Sequence, residues 1–239
     1  MKKLCLVLVV LLNMASTSPD TTGLTHPASV ASGKKTVSLA NVENATIYDQ
    51  LNLGQFGLQR DVFNYALQGW QKMNTSKSVL SIVDLSQPST KKRLYIIDLL
   101  NKKILFNTYV SHGQKSGDLL ATSFSNVNSS FQTSLGFYKT LDTYMGKHGL
   151  SLQLKGLEKG FNDNVYNRNI VLHGADYVCE AFIRKTGRLG RSQGCPAVPY
   201  AESKKIIQTV KGGTCLFVYS PNPDYLTKSA FLAEPVARM

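Results

Sequence analysis

The sequence predicts a mainly β fold: a compact, chiefly antiparallel domain with a few helices, preceded by a short helical segment. Three observations predict it. After residue 78 the chain breaks into short β-rich runs, "SVLSIVDL" (78–85), "RLYIIDL" (93–99), "KILFNTYVSH" (103–112), "LSLQLKGL" (150–157), "RNIVLHG" (168–174) and "CLFVYS" (215–220). The second and third of these are joined by a connection of hairpin length. A single helical pattern interrupts the series late, where Ala201, Ile206, Ile207 and Val210 follow Pro199 at helical spacing and the pattern stops at Gly212 and Gly213.

The remaining elements follow in chain order. Residues 1–18 open with Lys2 and Lys3, run through an apolar stretch from Leu4 to Leu12 and end in small residues. That order is a secretory signal peptide, and the apolar stretch is too short to span a bilayer. The chain is therefore expected to be exported to the periplasm or cell envelope, with no transmembrane anchor after cleavage. Residues 19–45 have no apolar period and read as a mobile leader. Residues 46–77 hold an amphipathic helix, on which Leu58, Val62, Phe63, Ala66, Trp70 and Met73 share one face, and it is expected to pack on the domain at 78–220. Residues 221–239 read as a surface tail, because Pro221, Pro223 and Pro235 oppose regular structure.

A hydrophobic share of 43% with 18% charged residues in 239 is that of an ordinary globular chain and excludes a disordered polyelectrolyte. The formal charge of +12 favours acidic polymers or anionic surfaces outside the cell. Solubility alone accounts for such a charge equally well. Nucleic acid is not an expected partner, because the lysines are scattered and the leader points to export.

Of the 4 cysteines, Cys5 leaves with the leader, so Cys179, Cys195 and Cys215 remain. An odd count in an exported protein asks for at least one free thiol with a purpose. Cys179 and Cys215 either bridge or stay as two buried thiols, and both readings remain open. No cofactor is expected, and no clustered His/Cys spacing suggests a metal.

Cys195 is the candidate nucleophile. It follows Ser192, Gln193 and Gly194 in a tight turn, and the N–H groups of Gly194 and Cys195 are candidates to face a developing oxyanion. His173 ends the run "RNIVLHG" where the backbone enters a glycine turn, which places an imidazole base at a sheet rim.

The pair "HG" at a strand end, followed about twenty residues later by "SQGC", resembles the L,D-transpeptidase catalytic domain of YkuD type. The likeness covers roughly residues 79–220 and includes the order of elements. It implies a β-sandwich or barrel-like fold, Cys195 as nucleophile, His173 as general base oriented by the carbonyl of Gly174, and a turn built by Ser192 and Gly194. It further implies that a thiolate attacks the third residue of a peptidoglycan stem peptide with release of D-Ala. The thioester then passes to an amine, or to water in an L,D-carboxypeptidase. Gln193 departs from the family's Ser/Thr-His-Gly-Cys box, which bears on substrate positioning more than on chemistry. The arrangement also fits a wall-binding module without catalysis.

Stem peptides carry free carboxylates, so Arg191 in the cysteine loop is expected to face the cleft and grip one, with Arg184 and Arg188 either assisting or solvating the loop. The glycine-containing segments 110–117 and 133–140 are expected to line the same cleft with His112, Ser134 and Tyr138. His112 ranks as the rival base. His148, in "MGKHGL", reads as a loop histidine without a partner. Nothing in the sequence marks an oligomeric state.

Overall fold

The computed structural model describes residues 47–233. The expected signal peptide and leader and the last residues of the expected tail lie outside them. A 3-10 turn at Leu53–Phe56 leads into helix α1, Arg60–Met73. Eight strands follow: β1 Val79–Asp84, β2 Leu94–Asp98, β3 Lys103–Thr108, β4 Gly136–Gly146, β5 Gly149–Gly156, β6 Val171–Ala175, β7 Ala197–Pro199 and β8 Cys215–Tyr219. Helix α2, Glu180–Thr186, lies between β6 and β7, helix α3, Tyr200–Val210, between β7 and β8, and helix α4, Pro223–Lys228, after β8.

The strands form one mixed sheet in the order β3-β2-β1-β8-β4-β5-β6-β7. Only β1 with β8 and β6 with β7 run parallel. The sheet nearly closes on itself, because Ser111, just beyond β3, donates its N–H to the carbonyl of Ala197 in β7 at 2.8 Å. Closure brings the residues after β3 against those before β7, and the cysteine loop lies at that seam.

Strands β1, β2, β6 and β8 are buried at nearly every position instead of alternating. Such strands are covered on both faces, which their Val/Ile/Leu-rich sequences already suggest. Helix α1 covers β1 and β8, and α3 packs on β5, β6 and β7. Val62, Phe63, Ala66 and Leu67 form the buried stripe of α1. Gly69 lets that helix approach the sheet, since a Cβ there would sit 2.1 Å from the ring of Phe137. That ring in turn stacks on Phe217 at 4.2 Å.

Two expectations need correction. Residues 133–140 are not a cleft-lining turn: from Gly136 onward they are β4, hydrogen-bonded to β8 and β5. The segment after Pro221 is not an irregular tail but continues into α4, in which Pro223 occupies the first turn, where its missing N–H costs nothing. The side chain of Asn222 caps that helix by accepting from the Tyr225 N–H at 2.9 Å.

Glu158 anchors this end of the chain. Its buried carboxylate accepts from the Phe137 N–H at 2.7 Å, from the Tyr225 hydroxyl at 2.9 Å and from the Ser229 hydroxyl. Burial nevertheless raises its pKa, the donors offsetting only part of that effect. Glu158→Ala leaves these donors without an acceptor at about 1–3 kcal/mol each, while relieving the desolvation of the carboxyl itself. The expected net loss is about 2–4 kcal/mol, read as a lower urea midpoint with unchanged slope.

Candidate active site

The site grows from the parallel pair β6 and β7. Their register sets His173 opposite Ala197, so Cys195, two residues before Ala197, lies alongside the start of β6. The Val171 N–H donates to Cys195 Sγ at 3.5 Å, and the thiol faces the carbonyl of Asn169 at 3.8 Å. His173 and Cys195 line one cavity of about 700 Å³.

Ser192 shapes the turn. Its hydroxyl donates to the Cys195 carbonyl at 2.6 Å and accepts from the Gly194 N–H at 3.0 Å. Gly194 has φ +121°, a region that side chains rarely adopt, and an added Cβ would meet the Gln132 carbonyl at 2.8 Å. The Gly194 N–H, expected to face an oxyanion, is therefore engaged within the loop, and the Cys195 N–H donates to no other residue among those described.

His173 is only 2% exposed, and its Nδ1 lies 2.9 Å from the Gly174 carbonyl. A carbonyl can only accept, so the proton sits on Nδ1 and leaves Nε2 as the basic nitrogen. Burial lowers the pKa of His173, against the raising effect of that carbonyl, and the charges of His148 and Lys147 lower it further. Burial raises the pKa of Cys195, partly offset by the Val171 N–H and the charges of Arg168 and Lys147. At neutral pH both groups therefore rest uncharged, a thiol and an imidazole lining the same cavity.

Of the expected substrate-binding residues, Arg191 and Gln193 line the cavity, and Gln193 is exposed there. Arg191 is otherwise engaged than expected: its Nη1 donates to Asp118 Oδ1 at 2.6 Å, to the Gly117 carbonyl at 2.8 Å and to the Gln114 carbonyl at 3.2 Å. It ties the loop at 114–118 to the cysteine loop. Arg188 adds a second contact to Asp118 at 3.6 Å, while Arg184 pairs with Glu180 on the surface of α2.

His112, Ser134 and Tyr138 do not reach the cavity, which corrects three expectations. His112 is buried, accepting at Nδ1 from Arg93 at 2.7 Å and donating from Nε2 to the Gly117 carbonyl at 3.2 Å. Burial and the neighbouring guanidinium bring its pKa down to about 4, so it is a neutral structural linker with both nitrogens in use. Ser134 donates to the Ser125 carbonyl at 2.8 Å and accepts from Arg168 at 2.6 Å. Tyr138 donates to the Ser134 carbonyl at 2.7 Å inside the core. The cysteine alternatives are also decided: Cys179, Cys195 and Cys215 are all free thiols.

The cavity holds residues that sequence reasoning passed over. Lys147 and His148 form the two-residue turn between Gly146 and Gly149, and His148 stacks on His173 with ring centroids 4.2 Å apart. It is thus not a histidine without a partner. Arg168 donates to the Ser125 and Gln132 carbonyls and to the hydroxyls of Ser130 and Ser134, which pins the 125–134 loop beside the thiol. Only the strand pairing reveals these neighbours: Ser151 lies opposite His173, which carries the turn before Ser151 past the end of β6.

A near-closed mixed sheet that presents an uncharged cysteine–histidine pair at its seam defines a candidate acyl-transfer site. Residues 55–219 match the family described as the L,D-transpeptidase catalytic domain, and the chain belongs to that family. No curated protein matches it. Solved structures similar to it include an L,D-transpeptidase from Mycobacterium smegmatis, at 14% identity and TM-score 0.37, over 62% of this chain and 61% of that one. Another is an L,D-transpeptidase from Stackebrandtia nassauensis, at 19% identity and TM-score 0.34, over 77% and 80% of the two chains. A third is the helical cell shape determining protein of Campylobacter jejuni, at 17% identity and TM-score 0.37, over 64% and 55%. The chain thus spans 61% of the first of these proteins. Among the described residues no helix is long and apolar enough to cross a membrane.

Proposed function

We propose that the protein is an exported cysteine acyltransferase acting on peptidoglycan stem peptides by L,D-transpeptidation. The observation that carries this reading is the uncharged pair itself, with Cys195 and His173 on one cavity and the His173 proton held on Nδ1 by Gly174. Family membership supports a substrate of the peptidoglycan class.

In the first half-reaction the thiol proton passes to His173 Nε2 while sulfur bonds to the carbonyl carbon of the third stem residue. The Cys195 N–H faces the oxyanion. Collapse breaks the C–N bond, and D-Ala leaves with the proton returned by the imidazolium, so a thioester remains. An acceptor amine then attacks the thioester, gives its proton to His173 and restores the thiol through the same nitrogen. Water in place of the amine yields a carboxypeptidase. Gln193 offers an amide donor and acceptor at the cavity wall, where the family box carries an imidazole.

The test is to incubate the protein with tetrapeptide-stem muropeptides beside Cys195→Ala and to follow D-Ala and crosslinked dimers by mass spectrometry. Wild type is expected to release D-Ala and form dimers, and the variant to do neither. Tripeptide monomers without dimers would reassign the acceptor to water. Identical products from both proteins would leave a wall-binding role only.

A further inference from the structure

We infer that His148 is a positioning residue for His173, its imidazole capping the His173 ring against solvent and fixing the plane in which Nε2 meets the thiol. The inference rests on the reading of His173 as base. His148 occupies an exposed two-residue turn, yet its ring lies 4.2 Å from that of His173 at 19° between planes.

His173 has one in-plane restraint, the Nδ1 contact to Gly174 at 2.9 Å. A single hydrogen bond at one edge leaves the ring free to tilt about the line of that bond. A ring lying flat against its face removes this freedom and keeps Nε2 aimed along the cavity wall. His173 is the middle residue of β6, between β5 and β7, and the ring of His148 adds to the cover that leaves it only 2% exposed. Seen from the other side, an exposed turn spends a side chain on the base and on nothing else: His148 has no hydrogen bond to another side chain or to the backbone among the described residues.

The stack carries a charge requirement as well. When His173 takes the thiol proton, a neutral imidazole against its face tolerates the new cation, much as other aromatic faces do. A protonated His148 would place a like charge against it and oppose the transfer. The other titratable groups at the cavity are Lys147 on the same turn, Arg168 before β6, Tyr144 on β4, Tyr177 after β6, and Arg191 and Cys195 in the cysteine loop. Burial and Lys147 lower the pKa of His148, and burial lowers that of His173. Both rings are thus neutral at neutral pH, and acidification charges both.

The experiment needs no stem peptide. The rate at which iodoacetamide alkylates Cys195, located by peptide mass mapping, is measured from roughly pH 4 to pH 8 in the full chain. Wild type, His148→Ala, His148→Phe and His173→Ala are compared. Wild type is expected to lose reactivity on acidification with the steepness of two protons. His148→Phe keeps a flat ring in place and is expected to fall with one. His148→Ala uncovers His173, and its acid midpoint is expected to rise by about half a pH unit or more. Both substitutions lie in an exposed turn outside the core. The inference is overturned if both His148 variants superimpose on wild type while His173→Ala changes the profile. If His173→Ala also leaves the profile unchanged, the base assignment falls, and the positioning role with it.

Discussion

His173→Gln is expected to lower turnover of muropeptides by about 10²–10⁴-fold, the usual contribution of a placed general base. Glutamine keeps a polar, uncharged side chain of similar reach but has no basic nitrogen, and it gives up the ring N–H that now meets the Gly174 carbonyl at 2.9 Å. The effect should fall on kcat, with substrate affinity nearly unchanged, since the residue acts on the thiol proton and is 2% exposed. The pH profile supplies the sign. Burial lowers the His173 pKa, so the protein is active above that value and loses activity as pH falls through it, on the acid side of an ordinary imidazole. The raised Cys195 pKa keeps the thiol protonated at neutrality, which makes proton removal part of the barrier and His173 necessary. A glutamine variant whose turnover and acid limb match wild type would refute the assignment.

Gly194→Ala is expected to reduce activity and stability together. The backbone at φ +121° is costly for any side chain, about 1–3 kcal/mol, and the new methyl would press on the Gln132 carbonyl at 2.8 Å and the Ile170 side chain at 3.0 Å. Relief requires the turn to swing, which breaks the Ser192 bonds at 2.6 and 3.0 Å that hold the Cys195 carbonyl and the Gly194 N–H. The expected result is a fall of several degrees in Tm and at least a tenfold loss of turnover. Thermal denaturation and muropeptide turnover on the same preparation measure both. A variant that is destabilised yet fully active would show that the turn does not aim the thiol.

The parts of this molecule that sequence makes legible are those whose signals are local. The β-rich runs correspond to β1, β2, β3, β5, β6 and β8, because their branched and aromatic residues are contiguous, and the helix after Pro199 begins and stops at residues that start and stop helices generally. The cysteine turn is legible for the same reason: Ser192, Gly194 and Cys195 act on one another across three peptide bonds. What escapes is set by register. Residues 133–140 contain a glycine and polar groups and so resemble a turn, yet from Gly136 onward their pairing with β8 and β5 makes them a strand that holds Tyr138 in the core, while Ser134, just before it, is buried against Ser125 and Arg168. His112 lies close to the site in space but spends both ring nitrogens on Arg93 and Gly117. His148 has no local motif, and its contact with His173 follows only once β4, β5 and β6 are aligned. Arg191 shows the converse limit, since its position is local but its carboxylate partner, Asp118, comes from a distant loop.

The central pairing of β1 with β8 has a consequence for how the chain folds. Leu80 lies opposite Cys215, with most of the domain between them in sequence, and β8 is flanked on its other side by β4. Until the last strand is available, β1 and β4 each expose an open edge, and Phe137 and Tyr138 lack their partners across β8. The two halves of the sheet can form hairpins early, but they join only when the final strand inserts, which makes folding slow and late-completing. Substitutions in Cys215–Tyr219 should therefore depress the yield of folded protein as well as its stability, since every position of β8 is buried. The Cys215 thiol, sealed in the finished core, is open to oxidants only during that interval.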